Sequence, residues 1–284
     1  MRIGGAMFFT DYSMSPTELA RALEDRGFDS LWVPEHSHIP LTRKSPFPSG
    51  GDLPKKYYDV MDPFVVLGAA AAVTKTLLLG TGICLIAQRD AIQTAKQVAS
   101  IDQISGGRFL FGVGNGWNED EMANHGTAFA SRHKLARERI EAMQAIWTKS
   151  KAEYHGEFVN FDPMMTWPKP VQKPHPPIVV GGTGEKKMLR IVATHADEWN
   201  AVSFDPDEWD RLNKVLDEHC DAIGRDPKQI RRGVQVFIHP DQEEQMAKQI
   251  GLLSAFEQAG CEHAVLSFYQ PPSRAQLEQV APAS

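Results

Sequence analysis

The sequence predicts an α/β fold, a closed (β/α)8 TIM barrel with insertion loops at its rim. Three observations point there: apolar strands alternate with helix-period segments along the chain, the units number about eight, and glycines gather where strands end. The most telling stretch is Leu77-Leu78-Leu79-Gly80-Thr81-Gly82-Ile83, followed by a helix and then Phe109-Leu110-Phe111-Gly112-Val113-Gly114-Asn115-Gly116. Each is a continuous apolar run, as a parallel strand buried on both faces requires, and each opens into a Gly-bearing turn. In a barrel those turns lie at the working end, where glycine lets a flat ligand or a phosphate approach the backbone closely.

The elements follow in order. Strand one runs from Arg2 toward Phe9. Ser15-Pro16-Thr17-Glu18 is a capping box with Pro at the first helical position, and Leu19, Ala22 and Leu23 recur at helical spacing until Gly27. Phe28 to Val33 is strand two. Asp62-Pro63 starts an Ala-rich helix through Val73 that leads to strand three at Leu77. Asp90 caps the next helix, with Ile92, Ala95 and Ala99 expected to face inward, before Ser105-Gly106-Gly107 turns into strand four. The later units are helix Arg132 to Trp147, strand Pro177 to Val180, helix Glu185 to Thr194, strand Asp197 to Ala201 and helix Pro206 to Ile223. Strand Gly233 to Ile238, a helix from Gln242 to Gln258, strand Ala264 to Phe268 and a helix near Arg274 close the series. Two segments break the rhythm, 37–58 and 151–177, both rich in Pro, Gly and charge and too long for simple connections. Both are expected at or near a barrel rim, the first as a lid carrying substrate contacts or, equally, as a plain solvated insertion.

With 284 residues, 42% of them hydrophobic, the chain can bury one large core but is too short for two full enzyme domains, so 1–284 is expected to be a single domain. A net charge of -6 provides no basic field for nucleic acid or anionic lipid. Cys84, Cys220 and Cys261 are odd in number and widely spaced, which fits a reduced, cytoplasmic setting. Neither a leader nor a membrane span is expected.

The chemistry-bearing motifs sit at the strand ends. Gly112-Val113-Gly114-Asn115-Gly116 departs from a Rossmann fingerprint because its third Gly falls one position early. Val179-Val180-Gly181-Gly182-Thr183-Gly184-Glu185 reads as strand, turn and helix N-terminus, either a phosphate cradle or a tight turn. Glu35-His36-Ser37-His38 follows strand two. Its H-x-H pair invites a metal, but His195, His239 and His263 look misplaced as further ligands, so no metal is expected. His36 is instead a candidate acid, base or hydrogen-bond donor to a cofactor, or a capping histidine. Trp117, Asn118, Glu119 and Glu121 follow strand four, and a Trp there either walls a cofactor or packs in the core. Nothing matches a Ser-His-Asp order, a G-x-S-x-G elbow or a Walker loop.

Taken together, Trp32-Val33-Pro34-Glu35-His36, Leu79-Gly80-Thr81-Gly82-Ile83, Gln88-Arg89-Asp90, Gln103-Ile104-Ser105-Gly106-Gly107-Arg108 and Gly112-Val113-Gly114-Asn115-Gly116-Trp117 resemble the luciferase-like monooxygenase superfamily, and within it the oxidoreductases that use the deazaflavin coenzyme F420. The resemblance implies a non-proline cis peptide at Gly82-Ile83 backing the deazaflavin ring. It also implies cofactor contacts from His36, Thr81, Gly82, Ile83, Gly114, Asn115 and Gly116, with Gly181, Gly182 and Thr183 at the phosphate. It further implies hydride exchange with a small organic substrate and a homodimer. The alternatives it leaves are an FMN-dependent monooxygenase and a deazaflavin- or flavin-binding protein without turnover. Sugar-phosphate dehydrogenases of this superfamily place a Glu where this chain has Trp117. The proton donor is therefore open, with His36 the catalytic candidate.

Overall fold

The computed structural model describes residues 1–203 and 205–282. Its strands are β1 (Arg2–Ala6), β2 (Ser30–Val33), β3 (Leu78–Thr81), β4 (Cys84–Leu85), β5 (Phe109–Gly114), β6 (Ala152–His155), β7 (Asn160–Met164), β8 (Ile178–Gly181), β9 (Glu198–Val202), β10 (Arg231–Ile238) and β11 (His263–Phe268). The α-helices are α1 (Pro16–Glu24), α2 (Lys56–Asp59), α3 (Pro63–Val73), α4 (Ala91–Ser105), α5 (Glu119–Asn124), α6 (Arg132–Thr148), α7 (Met188–His195), α8 (Pro206–Ala222), α9 (Glu243–Gln258) and α10 (Arg274–Gln279).

Parallel pairing runs β3-β2-β1-β11-β10-β9-β8-β5, and β3 pairs with β5 to close the barrel. Here β3 and β4 are one strand broken by a bulge. Gly80 pairs with Leu110 and Cys84 with Val113, so four steps on one strand span three on the other. The extra residue falls at Gly82–Ile83, whose peptide bond is cis.

Inside the barrel, Trp32 packs with Ala6, Leu110, Val179 and Val265. A Cβ on Gly80 would lie 2.4 Å from the Trp32 ring, so that glycine is there to make room for the indole. Below it a buried chain runs from Trp32 Nε1 to Ser30 Oγ (2.8 Å), on to His263 (2.9 Å) and to Glu198 (2.9 Å). His263 is thus the first residue of β11 and part of the barrel's polar filling. The main core lies between the barrel and its helices and supplies most of the burial that holds the fold.

The sequence expectations hold for the barrel and need correction in detail. Ser15 caps α1, Asp62 caps α3 and Asp90 caps α4 as expected. Strand one ends at Ala6, freeing Met7 to Phe9 for the rim, and α7 begins at Met188 rather than Glu185. Ile92 is exposed, because α4 buries the stripe of Ala91, Ala95, Val98 and Ala99 instead.

The two irregular segments part company. Segment 151–177 forms the β6–β7 hairpin and a strap, and no part of it reaches the cavity described below. Its path crosses α6, where Lys169 Nζ caps the carbonyls of Ile146 and Lys149, and then passes under the start of β5, where Gln172 binds Asp102 and the Phe109 carbonyl. Expected at or near a barrel rim, it braces helices and the end of the barrel opposite the cavity. Segment 37–58, in contrast, folds over the strand C-termini.

Candidate active site

A cavity of about 750 Å³ opens at the C-terminal ends of the barrel strands. That size suits a cofactor-sized ligand. One wall is backbone. The Gly82–Ile83 bulge projects Ile83 toward β5 and β8, and a Cβ on Gly114 would lie 1.7 Å from Ile83 Cδ1, on Gly181 3.1 Å from its Cγ2. These glycines therefore admit the Ile83 side chain as well as lining the cavity. Gly116 has φ +70, a left-handed conformation that favours glycine, and a Cβ there would also strike Met122.

A second wall carries the titratable groups. His36, one turn beyond β2, is buried and places Nδ1 2.7 Å from Glu121 Oε2. Glu121 comes from α5, whose N-cap Asn118 accepts the Glu121 N–H, and the Ser37 N–H donates to Glu121 Oε1 at 3.0 Å. Burial pushes the Glu121 carboxyl up, but the hydrogen bonds from His36 and the Ser37 N–H outweigh it and hold the carboxyl below its usual range. An ionised Glu121 accepts the Nδ1 proton, which leaves His36 Nε2 facing the cavity. Beside it Glu35 is fully engaged, with the Leu85 N–H at 2.7 Å and Arg89 Nε at 2.6 Å. His38 turns away from the cavity to Ser37 and Asn124. Among the described residues no group of three or more His, Cys, Asp or Glu is placed to hold a metal ion.

The lid supplies a third wall. Phe47 and Tyr57 from the lid, Trp117 after β5 and Phe8 after β1 form an aromatic cluster around His36. Ring centroids are 5.3 Å from His36 to Tyr57, 5.7 Å from His36 to Trp117 and 4.7 Å from Phe8 to Tyr57. Burial pushes the Tyr57 phenol up to about 12, so it stays neutral. Asp120 anchors the lid by accepting the Lys44 N–H at 2.7 Å, and Lys56 Nζ donates to the Tyr269 carbonyl at 2.7 Å.

Across the barrel the lining is polar. Asn115 Nδ2 lies 2.6 Å from His133 Nδ1 and 3.0 Å from Met188 Sδ. Arg132, Lys186 and Lys187 complete a cationic side at the starts of α6 and α7. Asn200 is 7% exposed, lines the cavity, and has an Oδ1 with no hydrogen-bond partner.

Of the residues named from the sequence, His36, Gly82, Ile83, Gly114, Asn115, Gly116, Gly181 and Gly182 meet on this one cavity. Thr81 lies behind it, fully buried, with Oγ1 donating to the Gly112 carbonyl at 2.6 Å. Thr183 is exposed and outside the lining, because α7 starts late and the turn swings it outward. Sequence reasoning missed Glu121 as the partner of His36, and missed Phe47, Tyr57, Arg132 and Lys187, whereas Asn200 stood out at its strand end. Only Glu121 left a local signal, at the third position after its cap.

Comparison with known proteins decides the family. The model of luciferase-like monooxygenases matches residues 15–281. The chain is a member of the luciferase-like monooxygenase family. As such it is 43% identical to the Mycobacterium tuberculosis protein Rv0953c over 229 residues, 80% of each chain. Two solved structures share the luciferase-like fold at 18% identity. One is an F420-dependent secondary alcohol dehydrogenase in complex with an F420-acetone adduct, with a TM-score of 0.78 over 98% of this chain and 97% of that one. The other is the oxygenating constituent of 3,6-diketocamphane monooxygenase from a Pseudomonas putida plasmid, in complex with FMN, with a TM-score of 0.66 over 84% and 67%. The luciferase-like family consists of oxidoreductases and monooxygenases, and no described helix here is long and apolar enough to cross a membrane.

Proposed function

We propose that the protein is an oxidoreductase that exchanges hydride between the deazaflavin coenzyme F420 and a small organic substrate, with His36 handling the proton. One observation carries the reading: His36 is fixed through Nδ1 by a buried, ionised Glu121 and presents Nε2 to a cofactor-sized cavity beside the Gly82–Ile83 bulge.

The residues present fit such a group. The Ile83 side chain, seated over Gly114 and Gly181, offers an apolar surface to a ring, and the orphaned Asn200 Oδ1 offers an acceptor to a ring N–H or a ribityl-type hydroxyl. Arg132, Lys186 and Lys187 outnumber the one carboxylate beside them, Glu185, which Arg211 holds at 2.8 Å, and so suit an anionic tail. When bound, the deazaflavin supplies a two-electron hydride carrier that reacts poorly with oxygen, and the protein supplies orientation, a dry site and the proton relay.

The chain's own part follows from geometry. Glu121 fixes the His36 ring and its tautomer. Nε2 then accepts the proton of a substrate O–H in the oxidising direction and returns it to a developing alkoxide in the reducing one. The lid aromatics exclude water from that exchange.

Titration of the purified protein with F420 and with FMN tests the cofactor. F420 should bind at least tenfold more tightly, and binding of FMN alone would move the protein to the flavin monooxygenases. His36→Ala should then lower kcat by about 100- to 10,000-fold with F420 affinity kept. Unchanged turnover would remove His36 from the mechanism.

A further inference from the structure

The cavity is chemically divided, and the division names a substrate class. The strands next to the lid, β1 and β2, stand across the barrel from β8 and the start of α7. The lysines and arginine of the lining, Lys186, Lys187 and Arg132, lie toward that side, together with Glu185, which Arg211 holds at 2.8 Å. Around His36 the lining is aromatic. The two carboxylates there are spent, Glu35 on Arg89 and the Leu85 N–H, Glu121 on His36 and the Ser37 N–H. Lys56, next in sequence to Tyr57, turns away to the Tyr269 carbonyl, and Arg43 stacks on Trp117 (5.7 Å to the ring centroid) without lining the cavity. A charge brought into this half would find no partner, and an unpartnered charge in an apolar pocket is strongly disfavoured. The polar tips on this side are neutral: His36 Nε2 and the Tyr57 hydroxyl within the cluster, Ser49 from the lid and Ser267 from β11, and Tyr57 makes no side-chain hydrogen bond among the described residues.

We infer that the substrate is an uncharged, predominantly apolar molecule, ring-bearing or branched, whose one reacting oxygen, hydroxyl or carbonyl, meets His36 inside the Phe8, Phe47, Tyr57 and Trp117 cluster. This rests on the oxidoreductase reading for which half of the cavity holds the substrate. Sugar phosphates, acyl coenzyme A esters and amino acids are excluded as the reacting moiety, because each would bring charge to the aromatic half. Phe47 is then a specificity-determining residue, since it reaches the cluster only from the lid. It is 7% exposed with its ring 5.2 Å from Tyr57 and 6.2 Å from Trp117.

The test uses two ketones of matched shape, 4-isopropylcyclohexanone and 4-oxocyclohexanecarboxylate, titrated by calorimetry into the whole protein with and without F420. The neutral ketone should bind at least tenfold more tightly than the carboxylate. Phe47→Ala, checked by circular dichroism for an intact fold, should weaken the neutral ketone about fivefold, and Phe47→Arg should narrow the gap between the two. Parity, tighter binding of the carboxylate, or binding of neither overturns the inference, and so does an unchanged neutral-ketone affinity in Phe47→Ala. Discrimination between the ketones without F420 binding would instead leave the substrate class standing and remove the cofactor assignment. F420 binding without discrimination would do the reverse.

Discussion

Segments 37–58 and 151–177 are both rich in proline and charge in sequence and take opposite positions in structure. The first lies over the barrel mouth and contributes Phe47 and Tyr57 to the cavity. The second is held to α6 by a different device. Glu138, 4% exposed, accepts the N–H groups of Glu157, Phe158 and Val159 at 3.1, 2.7 and 3.1 Å, and Tyr154 Oη reaches Glu141 at 2.5 Å. The lid is held by a few contacts at its edges, whereas the strap is held by buried charge-assisted bonds along its length. A loop's chain composition marks only that it departs from regular structure. Its anchoring decides whether it serves a ligand or the fold.

The largest effect that would sharpen this contrast is on stability. Glu138→Ala leaves three backbone N–H groups without their carboxylate and should cost about 3 kcal/mol in urea unfolding. Affinity for F420 and for the neutral ketone should stay within twofold. A parallel loss of ligand binding would break the separation of strap from site.

Limited proteolysis separates the two segments more directly. Arg43 and Lys44 stand in the lid beside fully exposed Leu41, whereas Lys169 and Lys173 in the strap are each followed by Pro and tied by their ammonium groups to backbone carbonyls. Trypsin should therefore cut first at Arg43 or Lys44, and ligand that seats the lid should slow that cut by about 3- to 10-fold, since cleavage follows the population of the open form. A first cut after Lys151, the one site in 151–177 not followed by proline, would reverse the assignment of brace and lid.

How much of this was readable beforehand follows from the kind of interaction involved. The barrel was legible because its signals are local and repeated: Ser15, Asp62 and Asp90 cap helices within three residues, and each buried strand announces itself as an apolar run. The backbone wall was legible for a related reason, since only glycine fits at Gly114 and Gly116 and the sequence shows glycine there. The purpose of Gly114 was not legible, because Ile83 lies 31 residues before it and nothing local says that its side chain turns that way. Glu121 was lost for the same reason. It is 85 residues from His36, and their pairing exists only once α5 folds back over β2. Thr183 stands exposed in a turn whose helix starts three residues later than its glycines suggest. Lone apolar residues such as Ile92 also escape periodicity, because an Ala stripe buries a helix as well as a Leu stripe does.

The smallest effect concerns how the lid is fastened. Lys56 Nζ lies 3.7 Å from the Tyr269 ring centroid and 5.0 Å from that of Phe8, and burial pushes its ammonium from 10.5 down to about 8. The folded chain releases this proton more readily than the unfolded chain. Between about pH 8 and 10.5 the unfolded state therefore binds more protons, and the contribution of Lys56 to stability rises with pH across that window. Below pH 8 both states hold the proton and the contribution is flat. Lys56→Met removes the titration, so the stability difference between the native protein and the variant, from urea unfolding at each pH, should shift in favour of the native protein by about 1–2 kcal/mol between pH 8 and 10. Once neutral, the amine still donates to the Tyr269 carbonyl, so the lid keeps its fastening while losing the cost of burying a charge. A difference that stays flat across the window would mean that this lysine is solvated and that burying its charge costs the lid nothing.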